Sequence, residues 1–210
     1  MSLVAPVRRP VLADLITRPS GRARAVALDA ALVLVGAAFV AALAQLEVPL
    51  WPVPVTGQTL GVVVVGAALG ARRGAAALLT YLFAGLAGLP VFAGFTGSIA
   101  AVAKPSFGFV IGFVVAAFAA GWFAERAWDR RPVLAFAGFV LASAIPFVFG
   151  VPYMAFILNV VGGGSYGVAE ILSFGLWPFV VGGLVKAALA AVLIPAAWVA
   201  VRAAEGSARR

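Results

Sequence analysis

Apolar runs separated by short polar breaks occupy most of this chain, at residues 25–46, 58–70, 74–89, 106–125, 133–151 and 174–201. A run of about 20 apolar residues is what a helix needs to cross a hydrocarbon layer ~30 Å thick. Six such runs in 210 residues, with 64% of residues hydrophobic and 10% charged, carry more apolar surface than a water-soluble core of this size encloses. In lipid, backbone polar groups must be paired within the spanning segment, which favours helices. The runs therefore predict an all-α integral membrane bundle of six transmembrane helices. The second and third are short: at ~1.5 Å per residue, the 13 residues of 58–70 reach only ~20 Å. They are expected either to extend into their loops or to be shielded by neighbouring helices.

Charge placement gives the bundle an orientation, because cytoplasmic loops hold most of the Lys and Arg. Arg8, Arg9, Arg18, Arg22 and Arg24 precede the first span. Arg72 and Arg73 follow the second, Arg126, Arg130 and Arg131 the fourth, and Arg202, Arg209 and Arg210 the sixth. Thirteen of the fifteen basic residues thus fall on one side, and only Lys104 and Lys186 lie elsewhere. Both termini are read as cytoplasmic. The chain divides into a basic cytoplasmic tail at 1–24, a six-helix membrane domain at 25–201 and a C-terminal cytoplasmic tail at 202–210. The first apolar run is too long for the core of a cleaved signal peptide, so it is read as an uncleaved span. The net charge of +8 is scattered between apolar runs rather than gathered on one face, which points to membrane lipid and not to nucleic acid as partner.

On the opposite side stand three loops rich in Pro, Gly and aromatic residues, at 47–57, 90–105 and 152–173. Their aromatic residues suit a membrane interface. They equally suit a lid over a pocket, since irregular backbone survives at membrane depth only where protein or a cavity shelters it. In the first span, Ala27 and Ala31, Ala37 and Ala41, and Ala38 and Ala42 stand four apart. That spacing makes a smooth face for a second helix, within the bundle or in a partner protein.

The chain lacks Cys and His, which excludes thiol and imidazole catalysis and Cys/His zinc sites. It lacks the GxxxxGK[ST] phosphate loop, the usual backbone cradle for nucleotide phosphates, so if the chain serves active transport the energy comes from elsewhere. Its seven carboxylates lie outside the spans or near their ends, unlike the mid-membrane acids of ion-coupled carriers. No cofactor or metal is expected. Lys186 is the exception: it stands about nine residues inside the sixth span, ~13 Å deep at ~1.5 Å per residue, where an ammonium needs a partner. No carboxylate lies three or four residues away, which leaves a bound anion reached from the outer side as the simplest partner. Gly182 and Gly183 lie one turn toward the loops and leave room beside Lys186. Gln58, Thr59, Thr80, Tyr81, Thr96, Ser98, Ser106, Tyr153 and Asn159 are the other polar residues near the outer half.

The stretches PVPVTGQTLGVVVVGAALGARRGA (52–75), YLFAGLAGLPVFAG (81–94), KPSFGFVIGF (104–113), FGVPYMAF (149–156) and WPFVVGGLVKAALAAVL (177–193), in this order, resemble the BioY family, the biotin-binding S components of energy-coupling factor transporters. The resemblance covers residues 25–201. It implies a six-helix bundle in the cell membrane, the bacterial inner membrane, with a biotin pocket near the outer face and no catalysis. It further implies import through a transmembrane coupling protein and cytoplasmic ATPases, with the alanine face of the first span (Ala27, Ala31, Ala37, Ala38, Ala41, Ala42) as the docking surface. A homo-oligomer is left open.

By the same resemblance, Lys186 matches the family lysine that meets a polar group of biotin. Gly183 stands where the family commonly has an aspartate, and the loop Gly94–Ser98 lacks the family's common arginine. Thr96, Asn159 or Tyr153 are then expected to supply neutral contacts, with Lys104 in place of the loop arginine, and Gln58, Tyr81 and Phe92 complete the expected binding set. Three other functions are weighed against this one, among them a structural or channel subunit, which ought to show a polar stripe along a helix that the sequence lacks. An S component for a different vitamin or small carboxylate keeps the architecture. A membrane-embedded transferase needs a general base or metal ligands that the sequence does not cluster.

Overall fold

The computed structural model describes residues 9–16 and 19–208. Arg8, Arg18, Arg209 and Arg210 of the charge pattern lie outside the described residues. Seven α-helices run in order: α1 (Arg22–Ala44), α2 (Gln58–Leu69), α3 (Ala71–Leu86), α4 (Phe107–Ala124), α5 (Pro132–Phe156), α6 (Val168–Gly175) and α7 (Trp177–Ala208). Among the described residues, four apolar segments are long enough to cross a membrane: Arg22–Ala44, Phe107–Ala124, Pro132–Val161 and Val168–Ala203.

α4 is the central helix. It packs most extensively on α5, then on α2 and α3, while α1 lies against α2 and α3, and α7 against α5 and α2. The buried positions of α4 are mainly Gly, Ala and Phe, so its backbone can be approached closely on several sides at once. Gly66 of α2 illustrates this: a Cβ there would stand 2.4 Å from the Ala117 carbonyl oxygen. The short α2 does not lengthen into its loops. It is shielded instead, with eight of its twelve residues buried, which is how a helix of roughly 18 Å is accommodated in a bundle of longer ones. Gly70, at φ +85°, joins α2 to α3 alone, a conformation that a side chain disfavours.

The structure revises several expected boundaries. α3 begins at Ala71, so Arg72 and Arg73 belong to its first turn rather than to a loop. Its first N–H donates to the Glu125 carboxylate (3.0 Å), an anion where a helix start favours one. α5 passes Pro152 and continues through a π turn at Ile157–Val161, and α6 follows soon after. The third loop, expected at 152–173, is therefore mostly helical. Proline is tolerated inside such helices where neighbours satisfy the freed backbone groups. The first loop holds a two-residue antiparallel ladder, Glu47–Val48 (β1) on Val55–Thr56 (β2), a small departure from all-α.

The segment expected to be a basic tail also behaves differently. Leu12–Leu15 forms a 3₁₀ turn beneath the bundle, and Val11 is 0% exposed within the core. Arg73 pins this turn through Asp14 (3.0 Å) and holds α1 through Asp29 (2.9 Å). Arg130 donates to the Pro10 carbonyl (2.8 Å). The apolar faces of Val11 and Ala13 explain the burial: the segment has an apolar side as well as a basic one.

Candidate functional site

At the loop end of the bundle lies a cavity of 570 Å³, a size suited to a small organic ligand. Its walls come from α2, α4, α5 and α7 and from the first two loops. Most of the lining is apolar. Phe109, Phe147 and Phe179 meet ring against ring at centroid distances of 5.8–6.2 Å, each from a different helix. They form an aromatic wall in which Phe109 and Phe179 stack and Phe147 stands edge-on to both, an apolar surface of the kind that receives a ring system.

The polar groups gather around β2 and the start of α2. Thr56 donates its hydroxyl to Gln58 Oε1 (2.7 Å), and Gln58 Nε2 donates to the Tyr81 hydroxyl (2.6 Å). Tyr81 is 1% exposed and packs edge-on against Phe92 at 5.4 Å. Tyr81 thus stands behind the wall and fixes Gln58 and Phe92, which do line the cavity.

Lys186 reaches the cavity from α7. Its ammonium donates to the Thr56 carbonyl and to the Thr59 hydroxyl (3.3 Å), so the protein itself supplies partners where the sequence left an anion as the simplest one. An ammonium has three N–H donors, and two are used here. The third has no hydrogen-bond partner among the described residues. Gly183 lines the cavity one turn away, and a Cβ built on it meets nothing within 4 Å; the same holds for Gly182, off the cavity wall. At the mouth, Lys104 donates to Thr96 Oγ1 (3.3 Å), and both line the cavity together with Glu47.

Six of the nine expected binding residues therefore share one cavity: Lys186, Gly183, Gln58, Phe92, Thr96 and Lys104. Tyr81 supports them from behind. Tyr153 and Asn159 are placed elsewhere. The Tyr153 hydroxyl donates to the Val102 carbonyl and its ring packs on Phe107 at 6.0 Å. Asn159 is engaged in both directions with the Tyr166 backbone, at 3.1 and 2.7 Å, closing the turn before α6. Both polar side chains satisfy loop backbone, a use that sequence position alone does not distinguish from ligand contact.

Lining residues outside the expected set include Thr56, Ser143, Glu47 and the phenylalanine trio. Ser143 carried a signal, as an isolated hydroxyl in an apolar span. The trio carried none, since its members come from three helices. The alanines of α1 divide into two groups: Ala27, Ala31, Ala38 and Ala42 form an exposed stripe, whereas Ala37 is buried and Ala41 half-buried against α2 and α3.

Comparison with known proteins agrees with this arrangement. The model described as BioY family matches residues 17–203. A relative from Rhizobium etli named "Biotin transporter BioY" is 37% identical over 149 residues, 68% of this chain and 76% of that protein. "Biotin transporter BioY2" of Lactococcus lactis is 34% identical, covering 77% of this chain and 85% of its own length. A solved structure titled as the S-component for biotin from an ECF-type ABC transporter superposes with a TM-score of 0.67 at 23% identity, covering 84% of this chain and 93% of the other, which shows a shared fold. With a family match that runs from before α1 to the end of the apolar part of α7, this multi-pass membrane chain belongs to the BioY family.

Proposed function

We propose that this chain captures biotin as the substrate-binding component of an energy-coupling factor transporter and delivers it for uptake. The observation that carries the reading is the 570 Å³ cavity, whose aromatic wall is bordered by Lys186 and Gln58 on one side and by Lys104 and Thr96 at the mouth. Biotin has a compact bicyclic head with a polar urea group and a flexible acid tail. Lys186 offers its remaining N–H to an acceptor on the head, and Lys104 faces the carboxylate, in the role that a loop arginine would otherwise fill. The names of the relatives support this choice of ligand. Family membership and the lack of a phosphate loop support a division of labour, with the coupling protein and ATPases as separate chains.

Binding of labelled biotin to the purified chain and to Lys186→Ala tests the assignment. A hydrogen bond to a charged group contributes about 1.5–3 kcal/mol, so the variant is expected to bind about 10- to 100-fold more weakly. Unchanged affinity would remove Lys186 from the site. A second reading keeps the architecture and changes the ligand to another small carboxylate. It is favoured by Gly183, where no side chain stands to receive urea N–H donors. Competition by a panel of vitamins separates the two.

A further inference from the structure

Gln45 stands at the end of α1, behind the cavity wall formed by residues 91–96 and outside the cavity itself. Its amide is bonded in both directions to that wall. Nε2 donates to the carbonyl of Ala41 on α1 (3.0 Å) and lies within reach of the carbonyls of Phe92 (3.2 Å) and Val91 (3.4 Å). Oε1 accepts the backbone N–H of Phe95 (2.8 Å). One side chain thus ties three backbone groups of the wall to a helix more than forty residues earlier in the chain.

The wall needs such a tie. Phe92 and Thr96 pair with each other, Phe92 N to Thr96 O at 2.9 Å and the reverse at 3.3 Å, so the chain doubles back within five residues. It does so by placing two consecutive residues in the left-handed region, Gly94 at φ +67° and Phe95 at φ +55°. For glycine this is free of strain, but for a residue with a Cβ it is unfavourable unless the surroundings hold it. The Phe95 side chain is 70% exposed and supplies no packing. Its N–H bond to Gln45 joins the Phe92–Thr96 pair and the bond from Thr96 Oγ1 to the Ala93 carbonyl (3.0 Å) in holding the turn, and is the one that ties it to α1, while Phe92 and Thr96 line the cavity.

We infer that Gln45 is a positioning residue for the ligand site: it clips the 91–96 wall to α1, and by doing so slows ligand release. The effect on release rests on the biotin reading given above; the clip does not. Two variants of the full chain in detergent divide the bonds. Gln45→Met keeps the length and removes every hydrogen bond. Gln45→Glu keeps the acceptor for Phe95 N–H and removes the donor. Both fall on a half-buried side chain at a helix end, and amide exchange in α2 to α5 reports that the bundle remains folded.

Hydrogen exchange of the ligand-free chain is expected to show the Phe95 amide at least tenfold faster in Gln45→Met, with protection retained in Gln45→Glu. Biotin dissociation is expected to be about tenfold faster from Gln45→Met, with association little changed. Unaltered exchange across residues 91–96 in Gln45→Met overturns the clip. Faster exchange with unaltered dissociation overturns its role in the site and leaves a loop anchor only. If the wild-type chain does not bind biotin, the ligand reading fails, while the exchange comparison still decides the clip.

Discussion

Asp129 lies in the turn between α4 and α5 with only 1% of its surface exposed. One carboxylate oxygen accepts from the Trp198 indole (2.6 Å), and the other is buried without a hydrogen-bond partner among the described residues. The Arg130 guanidinium covers the Trp198 ring at 4.2 Å. Burial pushes the Asp129 carboxyl above its ordinary value, against the smaller opposing effects of the Trp198 bond and the Arg130 charge. The native state therefore holds the proton more tightly than the unfolded chain does. Stability contributed by the protonated acid is full below the ordinary carboxylate pKa and falls as pH rises through the raised value. Asp129→Asn keeps an acceptor for Trp198 and removes this titration. Its thermal midpoint in detergent, measured against wild type, is expected to rise with pH across that window and then level off. A difference that stays flat with pH would refute the titration. Lys186 is the contrasting case: its partners belong to the protein, and it points at the cavity. Of the buried Asp129 and the half-buried Lys186, the sequence singled out Lys186, because an ammonium in the middle of an apolar run is visible as a break. Asp129 sits in a loop by sequence and is buried because its turn packs against α4, α5 and α7.

Helix packing follows from the same kind of close reading, one element at a time. The approach of α2 to α4 at Gly66 is limited by a carbonyl oxygen, which cannot rotate away as a side chain can. Gly66→Ala is expected to destabilise the bundle by about 1–3 kcal/mol, read as a lowered thermal midpoint. Gly182→Ala, where an added Cβ meets nothing within 4 Å, is expected to leave it unchanged. Equal effects at the two positions would show that the close approach is not what limits packing. The four-residue spacing of alanines in α1 was legible, but not which of them face inward. The 3.6-residue period places Ala27, Ala31, Ala38 and Ala42 on one stripe and turns Ala37 away from it. The exposed stripe, without Ala37, is the part proposed to meet a coupling protein.

At the level of the molecule, apolar runs carried most of the architecture, since lipid permits few alternatives to a helical bundle. The loops were less legible. Proline and glycine mark irregular backbone, yet α5 runs through Pro152 and α6 occupies part of the third loop. The proposed orientation, with both termini cytoplasmic, is directly testable because the chain has no cysteine. Single cysteines replacing Arg22 and Arg126 are expected to be labelled only after the membrane is made permeable, and one replacing Val168 beforehand; the reverse pattern would invert the topology.

The floor beneath the cavity has a consequence of its own. Below Lys186 the helices close on Ala116, Ala120, Ala187, Ala190 and Ile194, all buried, and Val11 lies in the same core. Such a body is a cup and not a pipe: whatever enters by the mouth leaves by the mouth. Delivering the contents to the far compartment then requires either that the cup be overturned as one rigid piece or that its base be breached. The salt link that binds Arg73 to the Leu12–Leu15 turn resists the breach.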